Sequence, residues 1–241
     1  NKISEAATLL EIACDWTNNA AFNANSGSVT FNGSVSQTIG GTSQTTFNNL
    51  EIDNASDVIL AIQANINTTL TLTAGDIVLG DYTLELTGET TSITGGSTAS
   101  YIQADGNGFV RKNFGTEAAA SRAAFTYPVG DVNYYTPFTI TINTADLTAA
   151  YLDVNLDAVK HPRIEGATSY IERYWTYSPT GFSGSIDYDM NLVYDQSDVV
   201  GTEADIRAVK VSGSTIVLGD AGSIDTGTNT LTLTGQTSFS E

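Results

Sequence analysis

The chain has 241 residues and is strongly acidic, because nine Lys and Arg residues stand against 27 Asp and Glu residues, for a net charge of −18. Such a charge repels phosphate groups and argues against nucleic acid and anionic membranes as partners. The hydrophobic content of 41% predicts a folded chain. No apolar run is long enough for membrane insertion, and the single cysteine, Cys14, excludes an intrachain disulfide.

The first predicted element is a strand, because Leu10, Ile12, Cys14 and Trp16 alternate with polar or small residues. This alternation predicts that Cys14 is a buried small hydrophobe. A helix capped by Ser4 is the alternative for the same segment. Since the segment is apolar, we expect it to cap the fold or to pair with a neighbouring copy or domain, with an ordinary intramolecular edge strand as the alternative.

A phrase then recurs in which an apolar-polar-apolar triplet leads straight into a turn. Its apolar anchors are Phe31, Ile52, Leu72 and Leu86, which lie 21, 20 and 14 residues apart. The first two spacings suit one full coil of a β-solenoid, in which each short strand stacks on the equivalent strand of the next coil. The third spacing is too short for the same coil. Gly40-Gly41 and Gly95-Gly96 are predicted corners.

The composition changes after residue 100, because 17 of the 22 aromatic residues and every basic residue except Lys2 lie beyond it. Asp105-Gly106-Asn107-Gly108 is a turn cluster at this change. Many short strand patterns follow without helical patterns between them, which is typical of a sandwich. The sequence therefore predicts an all-β chain: a Thr-rich β-solenoid or β-helix-like segment over 1–104, then an antiparallel β-sandwich over 105–241.

Several phrases occur in a specific order along nearly the whole chain. They include Val29-Thr30-Phe31-Asn32-Gly33, Phe125-Thr126-Tyr127-Pro128-Val129-Gly130, Arg173-Tyr174-Trp175 and the final Thr237-Ser238-Phe239-Ser240. In this order they resemble the repeat and β-sandwich regions of large secreted surface proteins of the Bacteroidota. The resemblance implies export, typically by type IX secretion, and display on the cell surface within a longer adhesin-like or structural protein. Asn1 in place of an initiator methionine predicts a processed or partial chain.

The residues for nucleophilic catalysis and for zinc are scarce. His161 is the only histidine, so any Ser-His-Asp or Cys-His arrangement would depend on this one loop residue. One histidine and one cysteine cannot supply the ligands of an ordinary zinc site. We therefore expect no enzyme activity and no cofactor, although two carboxylates could still form a glycosidase pair.

Carboxylates offer a possible calcium site, because calcium prefers hard oxygen ligands. Asp187 and Asp189 flank one residue and point the same way on a strand. The candidate ligands are Asp187, Asp189, Asp195, Asp198, Glu203 and Asp205. Simple solvation of acidic strands is the alternative.

Aromatic residues offer a possible sugar platform. Tyr134 and Tyr135 precede Pro137, and Tyr174 and Trp175 lie in a second aromatic cluster. Core packing is the alternative, particularly for Trp175. Threonine rows that include Thr71 and Thr87 could form a flat outer array, although threonine is common on any strand surface.

These observations favour a non-catalytic, secreted or cell-surface β-protein with a structural or adhesive role. We expect it to be part of a longer surface protein or a self-associating assembly, with neighbouring copies, adjacent domains or glycans as partners. A carbohydrate-binding module is the alternative, and a polysaccharide-acting enzyme is a further one.

Overall fold

The computed structural model describes residues 9–116, 122–213, 215–218 and 223–239. The chain forms two compact units, Asn1–Asn113 and Phe114–Glu241. Strands dominate both units, and the helical segments among the described residues are three-residue 3-10 turns. In this part of the chain, no helix has the length and hydrophobicity that a membrane span requires. The all-β prediction is confirmed.

The first unit is a parallel β-solenoid whose coils each carry three strand segments. Strands β5 and β7 bend, so the two halves of each belong to different faces of the coil. The strands are β1 (Leu9–Ile12), β2 (Trp16–Asn18), β3 (Ser28–Phe31), β4 (Gln37–Gly41), β5 (Thr45–Asp53), β6 (Val58–Leu60), β7 (Ala64–Ala74), β8 (Ile77–Val78), β9 (Leu84–Leu86), β10 (Ser92–Gly95), β11 (Ile102–Gln103) and β12 (Val110–Gly115).

The register explains the spacing of the recurring phrase. Phe31 pairs with Ile52 and Ile52 pairs with Leu72, so these three anchors stack in one buried row, as predicted. Leu86 instead pairs with Ile66, on another face of the coil. The spacing of 14 residues therefore measures the step from one face to the next and not an irregular coil. Each row is buried by the coils beside it and by the other faces of the solenoid, as the ring centres of Phe31 and Phe47, 6.4 Å apart, show.

Buried polar side chains join the coils at one corner. Gln37 is fully buried, and its Nε2 donates to the carbonyl oxygens of Ile12 and Cys14, at 3.0 and 2.6 Å. Its Oε1 accepts hydrogen bonds from Gly33 N and from Nδ2 of buried Asn54, both at 2.9 Å. One side chain thus connects three consecutive coils through four hydrogen bonds. The Gly33 N–H and the Cys14 carbonyl oxygen, which both lie outside the strands, thereby gain hydrogen-bond partners.

The predicted glycine corners are present. Gly41, Gly95 and Gly96 have φ values of 116°, 82° and 81°, in the region that favours glycine. At Gly41 a side chain is also excluded by space, because a Cβ there would overlap the backbone of Asn18 in the preceding coil. The corner therefore depends on glycine for both conformation and close approach.

The N-terminal strand prediction is wrong in one respect. The alternating residues do not form one strand, because β1 ends at Ile12 and β2 begins at Trp16, in a different sheet. Cys14 lies in the bend between them and is exposed, so its predicted burial is wrong. The coil turns here, which a two-residue periodicity cannot indicate. The helix alternative falls mainly on residues 1–8, outside the described residues, while Leu9 and Leu10 belong to β1.

The second unit is built on an antiparallel sheet with the strand order β13, β15, β17, β22 and β21. Its strands are β13 (Phe125–Tyr127), β14 (Val129–Gly130), β15 (Phe138–Asp157), β16 (Tyr170–Ile171), β17 (Tyr174–Val193), β18 (Val199–Val200), β19 (Val209–Ser212), β20 (Thr215–Leu218), β21 (Ile224–Asp225) and β22 (Thr230–Gln236). Its 3-10 turns are η1 (Pro162–Ile164), η2 (Gln196–Asp198) and η3 (Glu203–Asp205).

Two 20-residue strands, β15 and β17, form the centre of this sheet and replace several shorter predicted strands. Register shifts interrupt their pairing, and Ala149 has a φ of 47° within one of them. Two further ladders, β16 with β18 and β19 with β20, lie outside the main sheet. An antiparallel sheet is therefore present, and the finer prediction of a two-sheet sandwich stays a prediction.

The unit boundary lies between 113 and 114, nine residues beyond the predicted boundary at residue 104. The reason is that β12 repeats the solenoid pattern: Val110, Arg111 and Lys112 pair in parallel with Leu84, Glu85 and Leu86. Lys112 is buried there and its Nζ donates to the carbonyl oxygens of Gly88 and Glu89, both at 2.7 Å.

Candidate functional site

The second unit contains a groove of about 830 Å³. It is lined by the segment around η1, by the start of β17, by the β19–β20 hairpin and by buried residues of β17 and β22. Lining residues that matter below are His161, Arg163, Tyr174, Trp175, Arg207 and Ile216. A concave, mainly apolar space of this size is within the range of ligand sites in proteins.

Trp175 enters the groove from the start of β17. Trp175 pairs directly with Leu156 of β15. Tyr177, two residues further along β17, pairs with Val154, so both aromatic side chains lie on the same face as these buried aliphatic residues. The indole is half-buried, and Nε1 donates to the Thr136 carbonyl oxygen at 3.0 Å. Trp175 therefore packs on its own unit and also contributes to the groove wall.

Tyr174 is the second predicted aromatic residue of the groove. Burial, with a hydrogen bond to Asp157 and the charge of that carboxylate, raises the pKa of Tyr174 to about 12. The hydroxyl is therefore protonated at neutral pH and donates to Asp157. The His161 ring packs edge-on against it, with ring centres 4.7 Å apart, and His161 Nδ1 accepts a hydrogen bond from Arg163 N. Burial and then the charge of Arg163 lower the pKa of His161.

The other two predicted aromatic residues lie elsewhere. Tyr134 follows a tight turn in which Asp131 Oδ1 accepts its backbone N–H at 3.0 Å, and Tyr135 forms a bridge with Gly130. Burial raises the pKa of Tyr135. Neither residue is among those that line the groove. The predicted platform of four aromatic residues is therefore divided, and only Tyr174 and Trp175 share one surface.

A buried ion triad lies behind the groove. The Arg173 side chain is fully buried; its Nη2 donates to Asp131 at 2.5 Å and its Nε donates to Asp198 at 2.7 Å. Burial by itself lowers the pKa of Arg173, but the hydrogen bonds and charges of these two aspartates outweigh it and raise the pKa. The triad ties residue 173 to the turns at 131 and 198, which lie 42 and 25 residues away in sequence.

The six candidate calcium ligands are dispersed among separate contacts. Asp187 and Asp189 do share a face, because Asn143 Nδ2 donates to both, at 3.3 and 3.1 Å. Asp198 is engaged by Arg173, and Asp195 caps η2 by accepting from Ser197 N at 2.9 Å.

The remaining two are also separate, since Glu203 accepts a hydrogen bond from Tyr194 and Asp205 lines the groove. Within the residues described, no group of three or more acidic, histidine or cysteine side chains is placed to hold a metal ion. Calcium at these carboxylates stays a prediction, and melting with and without a chelator tests it.

The sequence prediction missed the basic residues of the groove. Arg163, Arg173, Arg207 and Lys210 line it, which is four of the nine Lys and Arg residues. Of the acidic residues that the structure describes, Asp205 alone lines the groove. The signal was the shift of basic residues into the second half of the sequence. Their convergence could not be read from it, because they come from two segments, 163–173 and 207–210, that are 34 residues apart at their nearest ends.

The outer face of the solenoid carries a polar ladder in place of a cleft. Glu51 accepts hydrogen bonds from Thr30 and Thr73, at 3.1 and 2.9 Å, and Thr94 donates to Thr71 at 3.2 Å. Thr87 lies just beyond β9, on another face of the coil, where it donates to Asn67 at 2.7 Å. The threonines considered as one flat array therefore occupy more than one face.

Comparison of the chain with protein-family models, with curated proteins and with solved structures found no match.

Proposed function

We propose that this chain is a non-catalytic extracellular module with a structural and adhesive role in a longer surface protein or assembly. The observation that carries the proposal is the solenoid, whose regular coils present side chains that bond to one another across the outer face. Such a repeated surface suits extension of a longer protein and contact with a partner. The acidic composition and the resemblance to secreted surface proteins support the location.

The non-catalytic part has separate support. His161, the single histidine, has Nδ1 engaged by a backbone N–H and its ring packed on Tyr174. Because Nδ1 accepts this hydrogen bond, the proton of the neutral ring lies on Nε2, so neither nitrogen is free to act as a general base. Release of products from a panel of polysaccharides would contradict this part of the proposal and favour the enzyme alternative.

Display of the chain on a non-adherent bacterium tests the adhesive part. We expect displayed chain to increase adherence to coated surfaces or to cells that carry the same chain. The fully buried Ile52, changed to Asp, should abolish the increase because a carboxylate cannot be accommodated in the solenoid core. Ile59, which is 40% exposed, provides the matched control, and Ile59→Asp should adhere normally.

No added adherence from the displayed chain, together with a strictly monomeric purified protein at high concentration, would refute both the adhesive and the assembly roles. Self-association through the N-terminal strand has support from β1, where Leu9 is 61% exposed. Deletion of residues 1–13 should then abolish assembly without unfolding the protein.

Carbohydrate binding is the second candidate function, and one observation favours it: Tyr174 and Trp175 line the same groove. Half-exposed aromatic rings can stack on sugar faces. Tyr174→Ala should then reduce binding on a glycan array without unfolding the domain. Tyr134→Ala is the control, because Tyr134 lies outside the groove.

A further inference from the structure

The β19–β20 hairpin presents an unusual apolar edge. All four residues of β20 are exposed, including Ile216 (42%), Val217 (44%) and Leu218 (66%). Within the described part of the chain, β20 pairs only with β19. The backbone groups on its outer edge therefore lack a strand partner among these residues, and an exposed apolar edge is a ready template for another strand.

One face of this hairpin belongs to the groove. Leu218 is opposite Val209, and Ile216 is opposite Val211. Directly opposed residues share a face of a ladder, and all four of these residues line the groove. A strand added to β20 would therefore project every second side chain toward the same aliphatic space.

The charge of the groove indicates what kind of strand would fit. Two of its four basic residues are already satisfied, since Arg173 is paired with two aspartates and Lys210 Nζ donates to the Ser238 carbonyl oxygen at 2.7 Å. Arg163 and Arg207 are exposed, and neither has an ion-pair partner among the described residues. In a chain of net charge −18, these two guanidinium groups give the groove a local preference for acidic partners.

We propose that the groove binds an extended acidic peptide strand of another protein, which adds to the edge of β20. Its apolar side chains, at alternate positions, occupy the groove, and its carboxylates pair with Arg163 and Arg207. Main-chain hydrogen bonds to the edge and pockets for alternate side chains are the usual basis of such strand addition. The proposal rests on the adhesive role proposed above and names the partner class.

The lining favours a peptide over a glycan. The wall around β20 is aliphatic, whereas the polar ends of the two groove aromatics are already engaged, Trp175 by Thr136 and Tyr174 by Asp157. A neutral sugar would leave the Arg163 and Arg207 guanidinium groups without an opposite charge, while an acidic peptide pairs with them and brings its main chain to an unpaired edge.

Selection of the full chain against a displayed library of random dodecapeptides tests this proposal. We expect enrichment of acidic sequences that alternate apolar and polar residues and contain no central proline. An enriched peptide should slow amide hydrogen exchange in residues 215–218, because their outer N–H groups become hydrogen-bonded. A proline in the middle of that peptide should weaken binding, since proline cannot donate to the ladder.

Variants identify the surface. Arg207→Glu should weaken binding of the enriched peptide at least about tenfold, and Ile216→Lys should do the same because its side chain lies on the groove face. Thr215→Lys is the matched control and should retain binding, because Thr215 is exposed and neither it nor Ser212, its partner in β19, lines the groove. All three positions are exposed, so unchanged melting temperatures would show that the fold is intact.

Three results would overturn the proposal. They are no enrichment or enrichment of basic peptides, binding without protection of residues 215–218, and loss of affinity in Thr215→Lys but not in Ile216→Lys. Occupation of this edge by a second copy, detected as self-association that Ile216→Lys abolishes, would also overturn it. So would binding of acidic glycans in place of peptides. If the displayed Ile216→Lys variant still adheres, the peptide-binding proposal fails while the proposed adhesive function stands.

Discussion

Replacement of Gln37 by leucine should destabilise the solenoid far more than a change of one exposed glutamine would. Gln37 is fully buried and makes four hydrogen bonds, to Ile12, Cys14, Gly33 and Asn54. Leucine preserves much of the side-chain volume but can make none of these bonds. The substitution therefore separates the polar contribution of the corner from its packing.

The magnitude follows from what each partner retains. The Ile12 carbonyl oxygen still accepts from Asn32 N, and Asn54 Nδ2 still donates to the Val35 carbonyl oxygen at 2.8 Å. Gly33 N–H loses the one hydrogen bond found for it, at a cost of about 1–3 kcal/mol if water does not replace it. The three other lost bonds contribute about 0.5 kcal/mol or more each, so we expect a total of about 3 kcal/mol.

Urea unfolding of the purified chain, monitored by circular dichroism, measures this loss of stability. In thermal melting, the melting temperature of the solenoid should fall by roughly 10 °C. Gln44→Leu provides the matched control, because Gln44 is exposed and its Nε2 donates to Asn65 across the surface. We expect this control to lie within about 0.5 kcal/mol of the unmodified chain. Equal stability of the two variants would refute the reasoning that the buried corner holds the coils together.

Two further predictions concern other buried polar groups. Arg173→Met should destabilise the second unit by about 3–5 kcal/mol in thermal melting, because it leaves Asp131 and Asp198 buried without their cation. Arg207 is exposed, so Arg207→Met is the control and should change stability little. Similar melting temperatures of the two variants would contradict this prediction. Burial raises the pKa of Asp76 above 3.8, so the folded first unit binds its proton more tightly than the unfolded chain does. The resulting stabilisation is complete below pH 3.8 and is lost as pH rises through the folded-state pKa. As pH rises, the urea midpoint of the unmodified chain should therefore fall relative to that of Asp76→Asn. A fall of the Asp76→Asn midpoint relative to the unmodified chain would exclude this linkage.

The sequence determined the stacking of the solenoid because its signals are local. A strand alternates with a period of two, and a coil returns to the same face after about 20 residues, so the spacing of Phe31, Ile52 and Leu72 already predicted one buried row. The glycine corners could be predicted for the same reason. Each depends on a single residue type that tolerates a positive φ.

Only the tertiary structure decided how separate segments meet. The spacing does not show that Leu86 lies on another face, or that the chain bends at Cys14 and exposes it, because both depend on where a coil turns. The groove depends on contacts of long sequence separation. Tyr174 and Trp175 could be predicted as candidate residues. Their position in one groove with Arg207 and the β20 edge depends on strand pairing and on the buried triad. Local periodicity carries no information about strand pairing or about the triad.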